Sequence, residues 1–366
     1  MTRPVLKTVL CDILDIEYPV ILAGMGEASG PELAAAVSNA GGLGVLGAAL
    51  LGGDDLAAAI EKIRKLTSKP FGVDTLLPSG VPSEGQVRSK RGEMPTKHFE
   101  FAKQFKEKHH LPEPHHRWPR LSQEFFTKQL EVIFDMRVPV YAAGLGNPAP
   151  FVKDAHAKGI KVMGVAGNTK HVRRMREGGL DIIVAQGTDA GGHNSRIGTM
   201  ALIPQAVDAA RPTPLVAAGG IGDGRGLAAA LALGACGVWV GTAFLPTPES
   251  ALPQYQKEAL LRATEEDTIV SKALTGKPSR HLKNLWTEEF EASGLQALPM
   301  PYQGMISASI MLSAEENQRP DIYSGFAGQI VGMIKELRPA AKVLEDMVAE
   351  AHQILAHELR QRVNLG

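Results

Sequence analysis

The segment Gln186-Gly187-Thr188-Asp189-Ala190-Gly191-Gly192-His193 concentrates groups that can do chemistry, and it directly follows the apolar run Asp181-Ile182-Ile183-Val184-Ala185. Histidine is the side chain whose ordinary charge change lies near neutral pH, so His193, displayed beyond a strand, is placed for proton transfer. The glycines before it leave backbone room for a flat ligand. The ordinary alternative is a surface-loop histidine, and the paired glycines favour the functional reading. Asp189 reads either as a group that orients His193 or as a solvated loop acid.

Two further clusters suit an anion. Ala217-Ala218-Gly219-Gly220-Ile221-Gly222-Asp223-Gly224-Arg225-Gly226 ends one apolar run, and Gly241-Thr242 ends the next, Gly237-Val238-Trp239-Val240. Without a Cβ in the way, phosphate oxygens can reach the backbone amides, a helix N-terminus can add its dipole, and Thr242 can add a hydroxyl donor. Single glycines at such places usually make tight turns. Two clusters at neighbouring strand ends point instead to a phosphate site.

The elements that must position these residues are short. Val20–Ala23, Leu43–Leu46, Phe71–Leu77, Val138–Ala142, Ile160–Met163, Asp181–Ala185, Pro214–Ala218 and Gly237–Val240 are apolar runs without strict alternation, separated by Ala-rich helical segments such as Pro31–Ala40 and Asp54–Leu66. Strands apolar on both faces are parallel strands covered by helices, and eight of them predict a (β/α)8 TIM barrel. An open doubly wound sheet would carry Gly-x-Gly-x-x-Gly after its first strand, and none is present. In barrels of this kind, phosphate sites lie after the seventh and eighth strands, where the two glycine clusters fall. Residues 78–121, rich in Pro, Lys, Arg and His, read as an excursion inserted after the third strand. Residues 1–250 are read as the barrel and 251–366 as a helical C-terminal extension near its mouth.

The composition fits an ordinary globular chain: 366 residues, 44% hydrophobic, 39 Lys+Arg against 39 Asp+Glu. That balance argues against nucleic-acid binding through a broad basic face. Cys11 and Cys236, the two cysteines, exclude a disulfide scaffold and a Cys-rich zinc module. No run of about 18 apolar residues occurs, so no membrane span is expected, and the chain reads as cytoplasmic. His109, His110, His115 and His116 surround Glu113, but Pro112 and Pro114 preclude helical ligand spacing, and no metal site is expected.

These motifs resemble those of the nitronate monooxygenase family, FMN-dependent (β/α)8-barrel enzymes formerly called 2-nitropropane dioxygenases. The resemblance is carried by Pro19–Met25, Ala36–Gly44, Lys69–Val73, Gln186–His193 and Ala218–Leu245, with a weaker match in Pro301–Gly304 and Gly328–Gly332. It implies that His193 is the catalytic base or substrate-anchoring donor. It puts the FMN phosphate on Gly219, Gly220, Gly241 and Thr242, and Gly24, Met25, Gln186 and Gly192 beside the flavin. The chain departs from the family at Asp74, where Asn is usual near the ring. It also departs at Val165, where many relatives have a phosphate-reaching lysine, and at Asp189, where glutamate is frequent. The implied activity is oxidation of alkyl nitronates or nitroalkanes by O2 to a carbonyl compound and nitrite. The alternative is an FMN-dependent, NAD(P)H-using reductase of enoyl or CoA thioesters or of quinones, with Arg88, Lys90, Arg91 and Lys97 as candidate contacts for a CoA phosphate. A flavin-binding protein without activity is the third class, opposed by the intact His193 and glycine loops. A homodimer is a further expectation.

Overall fold

The structure, a computed structural model, describes residues 4–77, 82–86 and 94–363. Its strands are β1 (Val20–Leu22), β2 (Gly44–Gly47), β3 (Phe71–Leu77), β4 (Val140–Gly146), β5 (Lys161–Ala166), β6 (Ile182–Gln186), β7 (Gly192–His193), β8 (Leu215–Ala218), β9 (Gly237–Val240), β10 (Thr268–Ser271) and β11 (Ser279–Leu282). Eight of them form one sheet in the order β1-β9-β8-β6-β5-β4-β3-β2, every pair parallel. The ring closes between β1 and the start of β2. Leu22 N–H donates to the Leu43 carbonyl at 2.9 Å, and Leu43 N–H to the Val20 carbonyl at 3.0 Å. The expected (β/α)8 TIM barrel is therefore the observed fold.

Alternation along each strand separates two apolar layers. Ile21, Val45, Ala142, Met163, Val184 and Trp239 point into the ring, where Leu10, Cys11 and Leu14 of the helix Val9–Leu14 join them. Val20, Leu46, Tyr141, Val162, Ile183 and Val238 point outward, against helix residues such as Leu33, Ile60, Leu202 and Leu227. Strands buried on both faces need β-branched and aliphatic residues at nearly every position, which is why their runs do not alternate in hydropathy. The helix Ala340–Gln353 packs against both Pro31–Asn39 and Gly224–Ala232, so the last long helix stands in the barrel's outer ring.

The excursion is more regular than its composition suggests. It contains the helix Thr96–Lys108, whose apolar face reaches the C-terminal part of the chain. Phe101 packs at a tilt on Trp286 at 5.4 Å and edge-on against Phe290 at 5.8 Å, and Phe105 meets Trp286 edge-on at 5.1 Å. Trp118 packs partly against the same cluster. Phe125 and Phe126, just beyond the excursion, belong to the next helix, Gln123–Asp135. Fastening thus rests on Phe101 and Phe105. Phe105→Ala should lower stability by about 3–5 kcal/mol in urea denaturation and speed proteolysis within residues 94–121; unchanged values for both would show that the excursion is held elsewhere.

Candidate active site

The carboxyl ends of the barrel strands open into one cavity of about 1470 Å³. Each of the ten residues singled out from the sequence lines it: Gly24, Met25, Asp74, Gln186, Gly192, His193, Gly219, Gly220, Gly241 and Thr242. Val165 and Asp189 line it too. The excursion and residues 300–326 form its outer wall.

His193 does not sit in an open loop. Gly192 and His193 form the short strand β7, which pairs antiparallel with β11 through Ser279 opposite His193 and Arg280 opposite Gly192. The His193 Nε2 lies 2.9 Å from the Thr275 hydroxyl. The Gln186 side chain donates to the His193 carbonyl at 2.7 Å, and Arg280 Nε donates to the Thr188 carbonyl at 3.0 Å. Burial, with a smaller contribution from the positive charge of Lys277, pushes the imidazole down to about 4. The ring is neutral at physiological pH, with one nitrogen fixed by Thr275. Asp189 does not contact it. Its carboxylate accepts from Thr199 N–H at 2.8 Å at the start of the helix Thr199–Ala210, a structural contact that neither of the two readings of that residue had included.

Asp74 is on the inward face of β3. Its Oδ1 accepts from Gly144 N–H at 2.6 Å, and a Cβ added to Gly24 would stand 2.1 Å from Oδ2. The carboxyl is thus clamped between the ends of β1 and β4, with no cation paired to it among the described residues. Burial raises its proton affinity well above the usual carboxylate range, outweighing the Gly144 hydrogen bond, and so favours the neutral acid. Asn at this position would keep the Gly144 hydrogen bond without a titrating group.

The glycine-rich segments test the fit to a phosphate-bearing cofactor. Gly219 and Gly220 have φ of +94° and +71°, values L side chains rarely adopt. Successive turn residues of this kind form an anion-binding concavity. Neither amide donates to another described backbone group. Thr242 Oγ1 accepts from Gly328 N–H at 2.9 Å and keeps its own proton to donate. One part of the expectation fails. The N-terminus of the helix Gly224–Ala232 is already closed, because Asp223 accepts from the amides of Arg225 and Gly226, and Glu350 accepts from that of Gly224 at 2.8 Å. The cradle consists of Gly219, Gly220, Gly241 and Thr242, which fit a phosphate without that helix end.

Sequence reasoning missed Thr275 and Arg280. Neither belongs to a motif, and their meaning depends on a strand pairing more than 80 residues apart. The Gly328–Gly332 match was the available hint, since Gln329 N–H donates to the Asp189 carbonyl at 3.0 Å and braces the His193 segment. The histidine-rich run disperses: His109 faces Glu289, whereas His115 and His116 both bind Glu316. Tyr323 lines the cavity. Arg88, Lys90 and Arg91 lie outside the described residues, and Lys97 is exposed.

Residues 7–350 match the family described as nitronate monooxygenase. The chain belongs to the nitronate monooxygenase family. It is 36% identical to the Mycobacterium tuberculosis protein named "Putative monooxygenase Rv1533", over 94% of this chain and 96% of that one. Among solved structures it resembles a nitroalkane oxidase from Streptomyces ansochromogenes, with a TM-score of 0.81, 30% identity, and 95% and 99% of the two chains covered. It also resembles FabK from Thermotoga maritima, with a TM-score of 0.77, 30% identity, and 98% and 100% covered. Family membership makes the chain an oxidoreductase of the flavoenzyme class acting on small molecules. Among the described residues no helix is long and apolar enough to cross a membrane.

The buried acid gives a stability signature. In the unfolded chain Asp74 loses its proton near pH ~4, whereas in the fold it keeps the proton to higher pH. The folded state therefore binds more protons over that interval, and stability falls as pH rises through it, by up to about 1.4 kcal/mol per pH unit. Asp74→Asn removes that loss. Thermal unfolding from pH 4 to pH 8 should show the variant gaining on the wild type as pH rises, and a constant difference would mean that Asp74 is ionised in the fold.

Proposed function

We propose that this chain is an FMN-dependent oxidoreductase of the nitronate monooxygenase type, oxidising alkyl nitronates with O2 to a carbonyl compound and nitrite. The observation that carries the reading is a neutral, Thr275-anchored His193 at the edge of a cavity where the neighbouring strand ends of β8 and β9 offer a glycine-threonine cradle for a phosphate. In this reading Gly219, Gly220, Gly241 and Thr242 hold the FMN phosphate. Gly24, Met25, Gln186, Gly192 and Asp74 border the ring. Bound FMN supplies the electron acceptor for the substrate and the route of those electrons to O2.

The residues divide the remaining work. An imidazole pushed down to about 4 is a weak base. It gains basicity only when negative charge develops beside it, because an adjacent anion favours the protonated ring. His193 is accordingly suited to a substrate that arrives as the nitronate anion, or to accepting the nitroalkane proton while that anion forms. Thr275 fixes the ring for the transfer, and Gln186 fixes its backbone. Asp74, as a neutral acid, leaves the floor uncharged and offers a proton-bearing oxygen there.

A second reading keeps the cofactor and changes the substrate. The likeness to FabK, together with a cavity larger than a small nitronate requires, supports an NAD(P)H-using reductase of enoyl thioesters or quinones. Anaerobic visible spectra separate the two: bleaching by ethylnitronate alone supports the monooxygenase reading, and bleaching by NADH or NADPH alone replaces it with the reductase. His193→Ala should retain FMN and lower kcat/KM for nitroethane by at least about 100-fold, and wild-type turnover in that variant would remove His193 from the proposed role.

A further inference from the structure

The cavity exceeds a single small-molecule site, about 1470 Å³ against about 300–1,000 Å³, and in the proposed reading it takes both FMN and a substrate. The strand ends account for its inner part. Its outer part is walled by Leu111 and Trp118 of the excursion and by Met305, Met311, Leu312 and Phe326 of the C-terminal part. That wall is apolar, and two of its members are methionines, whose unbranched chains adapt to flexible ligands. Met305, Ala308 and Leu312 follow helical spacing on Tyr302–Glu316, so one face of that helix presents a continuous apolar strip to the cavity.

Charge on this wall is unevenly satisfied. Lys106 pairs with Glu113 at 2.5 Å and Lys103 with Glu107 at 3.8 Å. Glu316 is engaged by the backbone amides and rings of both His115 and His116. Arg117 and Arg120 also line the cavity, are exposed, and have no hydrogen bond or ion pair among the described residues. They are the only lysine or arginine side chains on the wall in that condition. Elsewhere the wall carries Glu27 and Glu315, which would repel an anion. A negatively charged group is therefore directed to Arg117 and Arg120.

We propose that the outer half of the cavity binds an elongated amphipathic anion, its apolar chain along Met305, Leu312 and Trp118 and its phosphate or carboxylate at Arg117 and Arg120. The reacting end of such a molecule points inward to His193. This substrate class deepens the reading of His193 and the glycine cradle as the reaction centre, and it rests on that reading only for the direction in which the chain runs. Phosphate and carboxylate share the chemistry an arginine pair recognises, so the test includes both.

The test is calorimetric titration of the FMN-loaded protein with decyl phosphate, decanoate, decanol and inorganic phosphate. Both alkyl anions should bind at least tenfold more tightly than decanol, with inorganic phosphate weaker still, and the stronger of the two identifies the head group. Arg117→Gln with Arg120→Gln should bring the alkyl anions down to the affinity of decanol. Ala308→Trp, which fills the apolar strip, should abolish binding of all three alkyl compounds while thermal stability and FMN content stay at wild-type values. Equal affinity for decyl phosphate and decanol, or undiminished anion binding in the double arginine variant, overturns the proposal. Because binding is read without turnover, failure to oxidise nitronates would overturn the functional reading and leave this one standing.

Discussion

A closed ring of parallel strands has both of its ends fixed in character. Every crossover helix returns the chain to the same starting side, so every strand delivers its carboxyl end to the same rim. Here the closure is made by the hydrogen bonds joining Val20 and Leu22 to Leu43. On its other edge β1 pairs with β9, which sets Gly24 and Thr242, distant in the chain, at one rim. Alternation then decides what each strand contributes. On β3, Val73 and Thr75 face the helices, Thr75 sharing a hydrogen bond with the Tyr141 hydroxyl at 3.0 Å, so Asp74 must face inward. The polar content of the cavity floor follows from strand register rather than from any local preference of an aspartate.

The same desolvation acts on the two titratable groups of the inner cavity in opposite directions. It lowers the proton affinity of His193 and raises that of Asp74, and both end neutral. Burial thus disfavours a formal charge on either group, and the groups of the strand ends that can attract an anion are backbone amides and the Thr242 hydroxyl. The cations of the lining lie on the excursion. A neutral interior responds strongly to charge brought in by a ligand, because little water is present to screen it. That responsiveness is what a weak buried imidazole needs to become a useful proton acceptor only once substrate is present.

The strands were legible because burial on both faces leaves a run of apolar residues bounded by glycine, a pattern that few other elements produce. The strand-end motifs were legible for a related reason: glycine marks each point where the backbone must approach a ligand or another strand. What escaped was non-local. The pairing of β7 with β11 converts an apparent loop histidine into a strand residue, and no pattern around Gly192 announces a partner at Arg280. The helix Thr96–Lys108 hid among charged residues, since its packing face needs only Phe101, Ala102 and Phe105. The closed helix end at Gly224 was hidden differently. Asp223 was visible as a capping residue, but Glu350 arrives from the last long helix.

These non-local contacts bind the chemistry to the C-terminal segment. Thr275 fixes the ring of His193, Gln329 braces Asp189, and Gly328 donates to Thr242, so the loops after β6 and β9 are both held by contacts from beyond residue 270. That segment also supplies much of the outer cavity wall. The elements that wall the outer cavity are thus in direct contact with the segments that carry His193 and Thr242. Barrels with the same strand ends can for this reason diverge in substrate without altering a residue of the floor, and the strand-end motifs alone define the chemistry more closely than they define the molecule on which it acts.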